Sequence, residues 1–410
     1  MNSAVPYQVA DTLSLWYLGA PNQPVLVGEL KLLVSLRGVS LRYASGWLQS
    51  GFPLSEDLPL IDIEHLPREK EVAAGAVNDA RPDRWGERVI RLLNRPPRLS
   101  LLEMLFFAGD NRFGALGVSQ SNERYIPDES DPLPQLADVN ALHDVVRRVI
   151  AGEPVIEMHR RLIAPGATMG GARPKALLWM EEAQWVIKFT EEDASSEPLI
   201  EHASMTLAAL AGITVAQTKP VKLARGMAVA IKRFDRHADR RLHALSANLA
   251  LKAAGSSLSY PALAQLLRRR GDSEGRINQN QMRELFRRLI FNILIDNTED
   301  HEKNHVLLLT DAQHYLLSPA FDILPTGQAL GYQSMDVGIE GAVSSIENAL
   351  SMSASYGLKR HEAIAEAKKV AAVVDQWQSH FAKNHIAKNT IAMLAHQIDR
   401  PQLLEQRRSF

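Results

Sequence analysis

Eight consecutive polar residues, Asn297-Thr298-Glu299-Asp300-His301-Glu302-Lys303-Asn304, stand between an apolar helical stripe and a pair of short apolar strands. A run of this polarity interrupts the apolar pattern and reads as a loop between helix and strand. The stripe is Leu285, Leu289, Asn292 and Ile293 at helical spacing. The strands are Val306 to Leu309 and Tyr315 to Leu317, and their hairpin returns Asp322 beside Asn304. Phosphoryl transfer needs an acid that orients an acceptor hydroxyl, an amide oxygen for one metal ion, and a separate carboxylate between metal and phosphates. Glu299, Asp300, Asn304 and Asp322 supply those types, Glu299 lying five positions before Asn304. His301 and Lys303 fall near where phosphates would lie. The plain alternative is a helix-to-strand turn whose acids cap and solvate; Asp322, returned from outside the run, weighs against it. No His-Glu-x-x-His or comparable metal cluster competes.

The remaining pattern suggests three parts. Over 410 residues, length alone favours two or three domains. From Thr12 to Ser35 apolar and polar residues alternate as in half-buried strands, and after Pro82 the spacing of Trp85, Val89, Leu92 and Leu93 turns helical. Leu99 to Gly109 reads as a second apolar helix, and Asn122 to Gln135, with three prolines, as a linker. Residues 1–135 are therefore taken as an N-terminal β-rich subdomain, 136–236 as a mixed strand and helix segment, and 237–410 as a mostly helical segment. Arg360 to His380 reads as one amphipathic helix.

Several functional classes drop out. The chain has no cysteine, so disulfides, thiolate zinc sites and cysteine nucleophiles are excluded and a reducing cytoplasm is the expected location. Lys and Arg total 46 against 47 Asp and Glu, so bulk charge demands neither nucleic acid nor an anionic membrane. No signal-like N-terminus and no run of eighteen apolar residues occurs, which predicts a soluble, untargeted protein without a membrane partner.

Three further constellations gain meaning from the acidic loop. Gly170-Gly171-Ala172-Arg173-Pro174-Lys175 lies between strands, where small residues let backbone N–H groups approach phosphate and a lysine adds charge. Alone it reads as a hairpin turn, and it is not a Walker A loop. Lys188 sits within the apolar strand Trp185 to Phe189, where burial demands an anion, and Glu201 in the helix expected from Pro198 to Leu210 is a candidate to fix it. Lys232-Arg233-Phe234 ends the last strand before the helical segment, where a side chain can pack on a base.

With these residues in hand, the chain resembles the HipA family of bacterial serine/threonine kinases, the toxin component of HipBA-type toxin–antitoxin systems. Gly46-Trp47-Leu48, Arg81-Pro82-Asp83-Arg84-Trp85-Gly86 and Asp110-Asn111-Arg112-Phe113-Gly114 are similar to its N-terminal region, and the glycine loop and acidic loop to its kinase core; the resemblance covers roughly residues 25 to 380. It implies an α+β, two-lobed protein-kinase-like core with an N-terminal β-rich subdomain and a mostly helical C-terminal lobe. It implies ATP and Mg2+ as cofactors: Lys188 on the nucleotide phosphates with Glu201 orienting it, Lys232 to Phe234 and Phe321 around the adenine, His301 near the phosphates, Asn304 and Asp322 on magnesium. Thr168 takes the position of a serine whose autophosphorylation in this loop switches the kinase off. Glu299, rather than Asp300, takes the position of the family's catalytic aspartate; either Glu299 is the base, Asp300 reaches in, or catalysis is weak.

The implied partners are a protein substrate of the translation machinery, an aminoacyl-tRNA synthetase among the candidates, and a small helix-turn-helix antitoxin of the HipB kind, with DNA reached through that complex. The alternatives are a pseudokinase that binds nucleotide and antitoxin without transfer, and a small-molecule phosphotransferase.

Overall fold

The computed structural model describes residues 7–127, 132–155, 162–163, 166, 171, 173–192, 195–326 and 328–409. Thr168, Gly170 and Ala172 lie outside the described residues. The chain forms two compact units, one of residues 1–191 with 235–245 and one of residues 192–234 with 246–410.

In the first unit, Thr12–Tyr17, Val25–Leu33, Gly38–Tyr43, Glu64–His65 and Leu116–Ser119 form an antiparallel five-stranded sheet. Its alternating residues Leu13, Leu15, Val27, Leu30, Val39 and Leu41 are buried. Each such side chain contributes about 1.5–3 kcal/mol on leaving water. Helix Leu101–Phe107 starts at a capping box in which Ser100 and Glu103 satisfy each other's backbone N–H groups. The helix after Pro82 is shorter and less regular than its spacing predicts: Arg84–Val89 is α-helical and Ile90–Asn94 is a π-turn closed by Arg95 at φ 46°. Strands Lys175–Met180 and Ala183–Lys188 form a tight antiparallel hairpin.

The second unit holds helix Glu197–Leu210, the antiparallel pair Thr218–Lys222 and Met227–Lys232, and the remaining helices. Its axis is Ile277–Leu294, whose Leu285, Phe286, Leu289, Ile290, Phe291 and Ile293 are all fully buried. Tyr260–Arg270 and Arg360–Val374 pack against it. Val306–Leu309 and Tyr315–Leu317 pair antiparallel as expected. The C-terminal helix expected to run to His380 instead stops at Val374 and restarts at Trp377. Trp377 is fully buried and its indole donates to Asp399 at 3.0 Å, so burying this ring sets the new direction.

Candidate active site

The acidic loop is built on the end of the long axial helix. Asn297 N–H donates to the Asn292 carbonyl at 2.9 Å, and the Asn297 and Asn292 side chains bond at 3.0 Å. Asp296, at φ 60°, occupies the left-handed conformation that turns the chain out of the helix. Thr326 ties the start of the loop: its N–H and hydroxyl both donate to the Asp296 carbonyl, at 3.1 and 3.0 Å, and its hydroxyl accepts from Thr298 N–H at 3.1 Å. Ser334 donates to the Thr298 carbonyl through both its N–H and its hydroxyl. Arg400, from the C-terminal segment, forms an ion pair with buried Asp296 at 2.9 Å.

The two adjacent acids point to opposite environments. Asp300 is buried, and its Oδ2 accepts from Asn292 Nδ2 at 2.9 Å, from the Tyr260 hydroxyl, and lies 2.8 Å from His305 Nε2. Burial pushes the Asp300 carboxyl up, but His305 and the hydrogen bonds overcome it and hold the group below the usual carboxylate range. Glu299 is exposed and accepts from Gln328 Nε2 at 2.8 Å. Asp300 is thus an internal strut of the loop, and Glu299 is the acid presented to solvent. Tyr260 and His305 were missed from sequence, while Asn292 left a trace as a lone amide in an apolar stripe.

Asn304 is buried, and among the described residues its Oδ1 accepts no hydrogen bond. Buried amide oxygens are rarely left so, and one facing a cation is a natural exception. A single amide and one carboxylate fit magnesium, which takes few protein ligands and completes its shell with water and phosphate oxygens. Among the described residues no group of three or more His, Cys, Asp or Glu is arranged for a metal.

The hairpin is closed by Ser318 N–H, which donates to the Val306 carbonyl at 2.8 Å, and the chain runs on from there to Asp322. The returning segment is pinned by Ala320, which exchanges backbone bonds with Thr214 and Ala216 at 2.8 and 2.9 Å. Asp322 itself is half-buried at φ 58°. Phe321 is buried and lies against Phe234, ring centroids 5.5 Å apart. Lys232 is exposed, Arg233 buried and Phe234 half-buried. The second unit therefore brings together Phe234, Phe321 and the segment bearing Asp322, while His301 is half-buried on the loop and Glu201 is buried in its helix.

In the first unit, Lys175 and Lys188 are direct cross-strand partners, so both ammonium-bearing side chains share one face of the hairpin, and both are buried. Lys175 Nζ donates to Asp83 Oδ2 at 2.5 Å and to the Gly171 carbonyl at 3.1 Å. The other oxygen of Asp83 accepts from Gly86 N–H at 2.8 Å, and the Trp85 indole donates to the Lys175 carbonyl at 2.7 Å. Gly171 is exposed at φ 83°, Arg173 is half-buried and Pro174 is buried.

Residues 167–377 match the HipA-like C-terminal domain, just over half of the chain. Across 97% of both chains the structure also superposes, at a TM-score of 0.67 and 17% identity, on a chain of the Shewanella oneidensis MR-1 toxin–antitoxin complex of HipA, HipB and operator DNA. The fold is therefore α+β of the HipA-like, two-lobed kinase type. The chain belongs to the HipA-like C-terminal domain family. A curated relative from Sinorhizobium fredii (strain NBRC 101917 / NGR234), named "Putative kinase Y4dM", is 29% identical over 158 residues. That match spans 35% of this chain and 37% of the relative. Among the described residues no helix is long and apolar enough to cross a membrane.

Proposed function

We propose that this chain is an ATP- and magnesium-dependent serine/threonine protein kinase of the HipA toxin type. The observation that carries the reading is the Asn304 amide: buried, with Oδ1 free of donors among the described residues, on a loop locked by Asp300 and presenting Glu299 five positions earlier. Asn304 and Asp322 would hold magnesium, which when bound neutralises charge on the transferring phosphoryl group. Glu299 would take the hydroxyl proton of the acceptor, with Asp300 setting the loop's shape from beneath. Lys188, oriented by Glu201, would contact the phosphates with the 170–175 loop and His301; Lys232, Arg233, Phe234 and Phe321 would surround the adenine. Lys175 would exchange its bond to Asp83 to reach phosphate.

The three-part division, with 136–236 as the phosphate-loop lobe and 237–410 as the helical lobe, belongs to the same proposal. So do a cytoplasmic location, a HipB-like antitoxin that reaches DNA, a translation-related substrate and growth arrest. The Shewanella complex supports the antitoxin and DNA partners by its composition. Thr168 would be the inhibitory autophosphorylation site, its phosphate adding about −1.5 to −2 charge beside the γ-phosphate.

Transfer of labelled γ-phosphate to protein tests the reading, with Asp322→Asn as the control. We expect the variant to lose about a hundredfold or more. Equal backgrounds would instead establish the pseudokinase reading, which the longer Glu299 side chain at the base position favours. Phosphate on Thr168 in the purified wild-type chain, absent from the variant, would extend the result to autoregulation.

A further inference from the structure

Beyond Asp322 the chain builds a two-stranded ribbon with its polarity reversed. Gln333 N–H donates to the Ala342 carbonyl and Ser344 N–H to the Gly331 carbonyl, both at 2.8 Å, which makes Tyr332 and Val343 the non-hydrogen-bonded pair between them. Their side chains therefore stand close together on one face. That face is the solvent face: Tyr332 and Val343 are 57% and 41% exposed. The opposite face buries the polar pair Gln333 and Ser344, joined at 2.9 Å. A shift of register by one residue would invert this, so the outward apolar set is specified by the pairing. Contiguous exposed apolar surface on a folded chain marks a place where something binds.

The ribbon is anchored on the loop of the proposed base. Gln328 donates to Glu299 at 2.8 Å, and Ser334 to the Thr298 carbonyl at 2.9 Å. Leu330 and Tyr332 lie between these two tethers, so extended-chain geometry puts them within about 15 Å of Glu299. Charge adds the second constraint. From Asp322 to Leu358 the chain contains no lysine, arginine or histidine, whereas Asp336 and Glu340 are exposed on or beside the ribbon. The segment that carries the apolar pair is thus itself anionic.

We propose that Tyr332 and Val343 form the ledge on which the substrate segment bearing the acceptor hydroxyl docks. The occupant is an extended peptide with aliphatic side chains beside its serine or threonine and lysine or arginine further out. The kinase reading supplies the reason for the hydroxyl; the exposed apolar pair and the anionic segment that carries it supply the rest. A small phosphate acceptor would have no use for such a surface, so the ledge favours a protein substrate.

The test uses the full chain and a fluorescein-labelled peptide, Lys-Arg-Leu-Ser-Val-Leu-Lys, against a version with the basic residues changed to glutamate and one with the aliphatic residues changed to glycine. Binding is read by anisotropy, nucleotide affinity by calorimetry, and phosphate transfer by radiolabel. Tyr332→Ser and Val343→Thr are solvent-facing and should leave melting temperature and ATP affinity unchanged. Together they should weaken the basic apolar peptide about tenfold, the effect of losing one apolar anchor. Either altered peptide should bind the wild type comparably weakly. Unchanged peptide binding by the double variant, or equal binding of all three peptides, would overturn the proposal. So would a wild-type dimer in sedimentation that the two substitutions dissociate, since a second copy would then cover the ledge. Peptide binding that depends on the ledge without any phosphate transfer would uphold the ledge and overturn the kinase reading.

Discussion

Lys175 and Asp300 are both buried ions, and their surroundings differ in kind. Asp300 takes its partners from three elements of the same unit, and all are donors that a carboxylate can accept together: an amide, a phenol and an imidazole. Lys175 faces another buried lysine across the hairpin, and the carboxylate bonded to it comes from Asp83, ninety-two residues earlier. A carboxylate has several lone pairs that neutral groups can satisfy, whereas an ammonium only donates, here to the Asp83 carboxylate and the Gly171 carbonyl. The acid is thus held by three side-chain donors, and the base by a carboxylate from a distant part of the chain and a carbonyl of the loop before it. Buried positive charge held in this way suits a face that exchanges partners with phosphate, and an acid fixed by three donors suits a loop that must keep its shape.

Removing the Asp83 carboxylate is the severest way to break this contrast. Asp83→Ala should cost about 3–5 kcal/mol in urea unfolding, because a buried ammonium loses its charge partner. Adding Lys175→Met should recover a good part of that loss. A cost below about 1 kcal/mol would mean that Lys175 finds water, and the asymmetry would vanish.

The pair between Arg400 and Asp296 sits between the two extremes. Asp296 is buried and Arg400 partly exposed, so Arg400→Met should destabilise by about 2–3 kcal/mol, less than for a fully buried pair. Burial raises the Asp296 carboxyl even with Arg400 opposing it, and the variant should raise it further. Carboxylate titration followed by NMR would read that shift. Arg400 lies outside residues 167–377, which match the family domain, so the loop is clamped from beyond that segment.

Asp300→Asn sharpens the other side of the comparison. Two of the three donors can still be met by the amide oxygen, so the loss should be about 1–2 kcal/mol. The pH dependence has a definite sign. Asp300 is held below its ordinary range when folded, so its contribution is fully present above the unfolded value of about 3.9 and lost as pH falls through the lower folded value. An unfolding series between neutral and strongly acid pH should show the wild type losing that increment and Asp300→Asn lacking it. The smallest effect belongs to the exposed pair Arg360–Glu347, where Arg360→Ala should change stability by no more than about 0.5 kcal/mol.

Much of the second unit was legible beforehand because its signals are local. The strands around the loop read as apolar runs bounded by polar residues, and their observed bounds, Val306–Leu309 and Tyr315–Leu317, agree with that reading. What separates Asp300 from Glu299 was not legible. The two are adjacent acids, and their division of labour depends on Tyr260, forty residues earlier, and on Gln328, twenty-nine residues later. The Asp83–Lys175 pair is hidden for the same reason, since each residue sits in a recognisable motif with nothing local to join them. The break between Val374 and Trp377 escaped periodicity because apolar spacing continues through it while the chain turns to bury the indole.

Asp322 holds φ at 58°, a conformation most side chains resist and asparagine or glycine accept. Under the proposed function two demands fall on one residue, a ligand demand on its oxygen and a steric demand on its backbone. Should a lineage of such chains shed its chemistry while keeping its architecture, selection on folding alone would steer this position toward asparagine or glycine and away from valine, isoleucine or threonine. The residue found there in any descendant would then record whether the ligand demand or only the steric one was still being enforced.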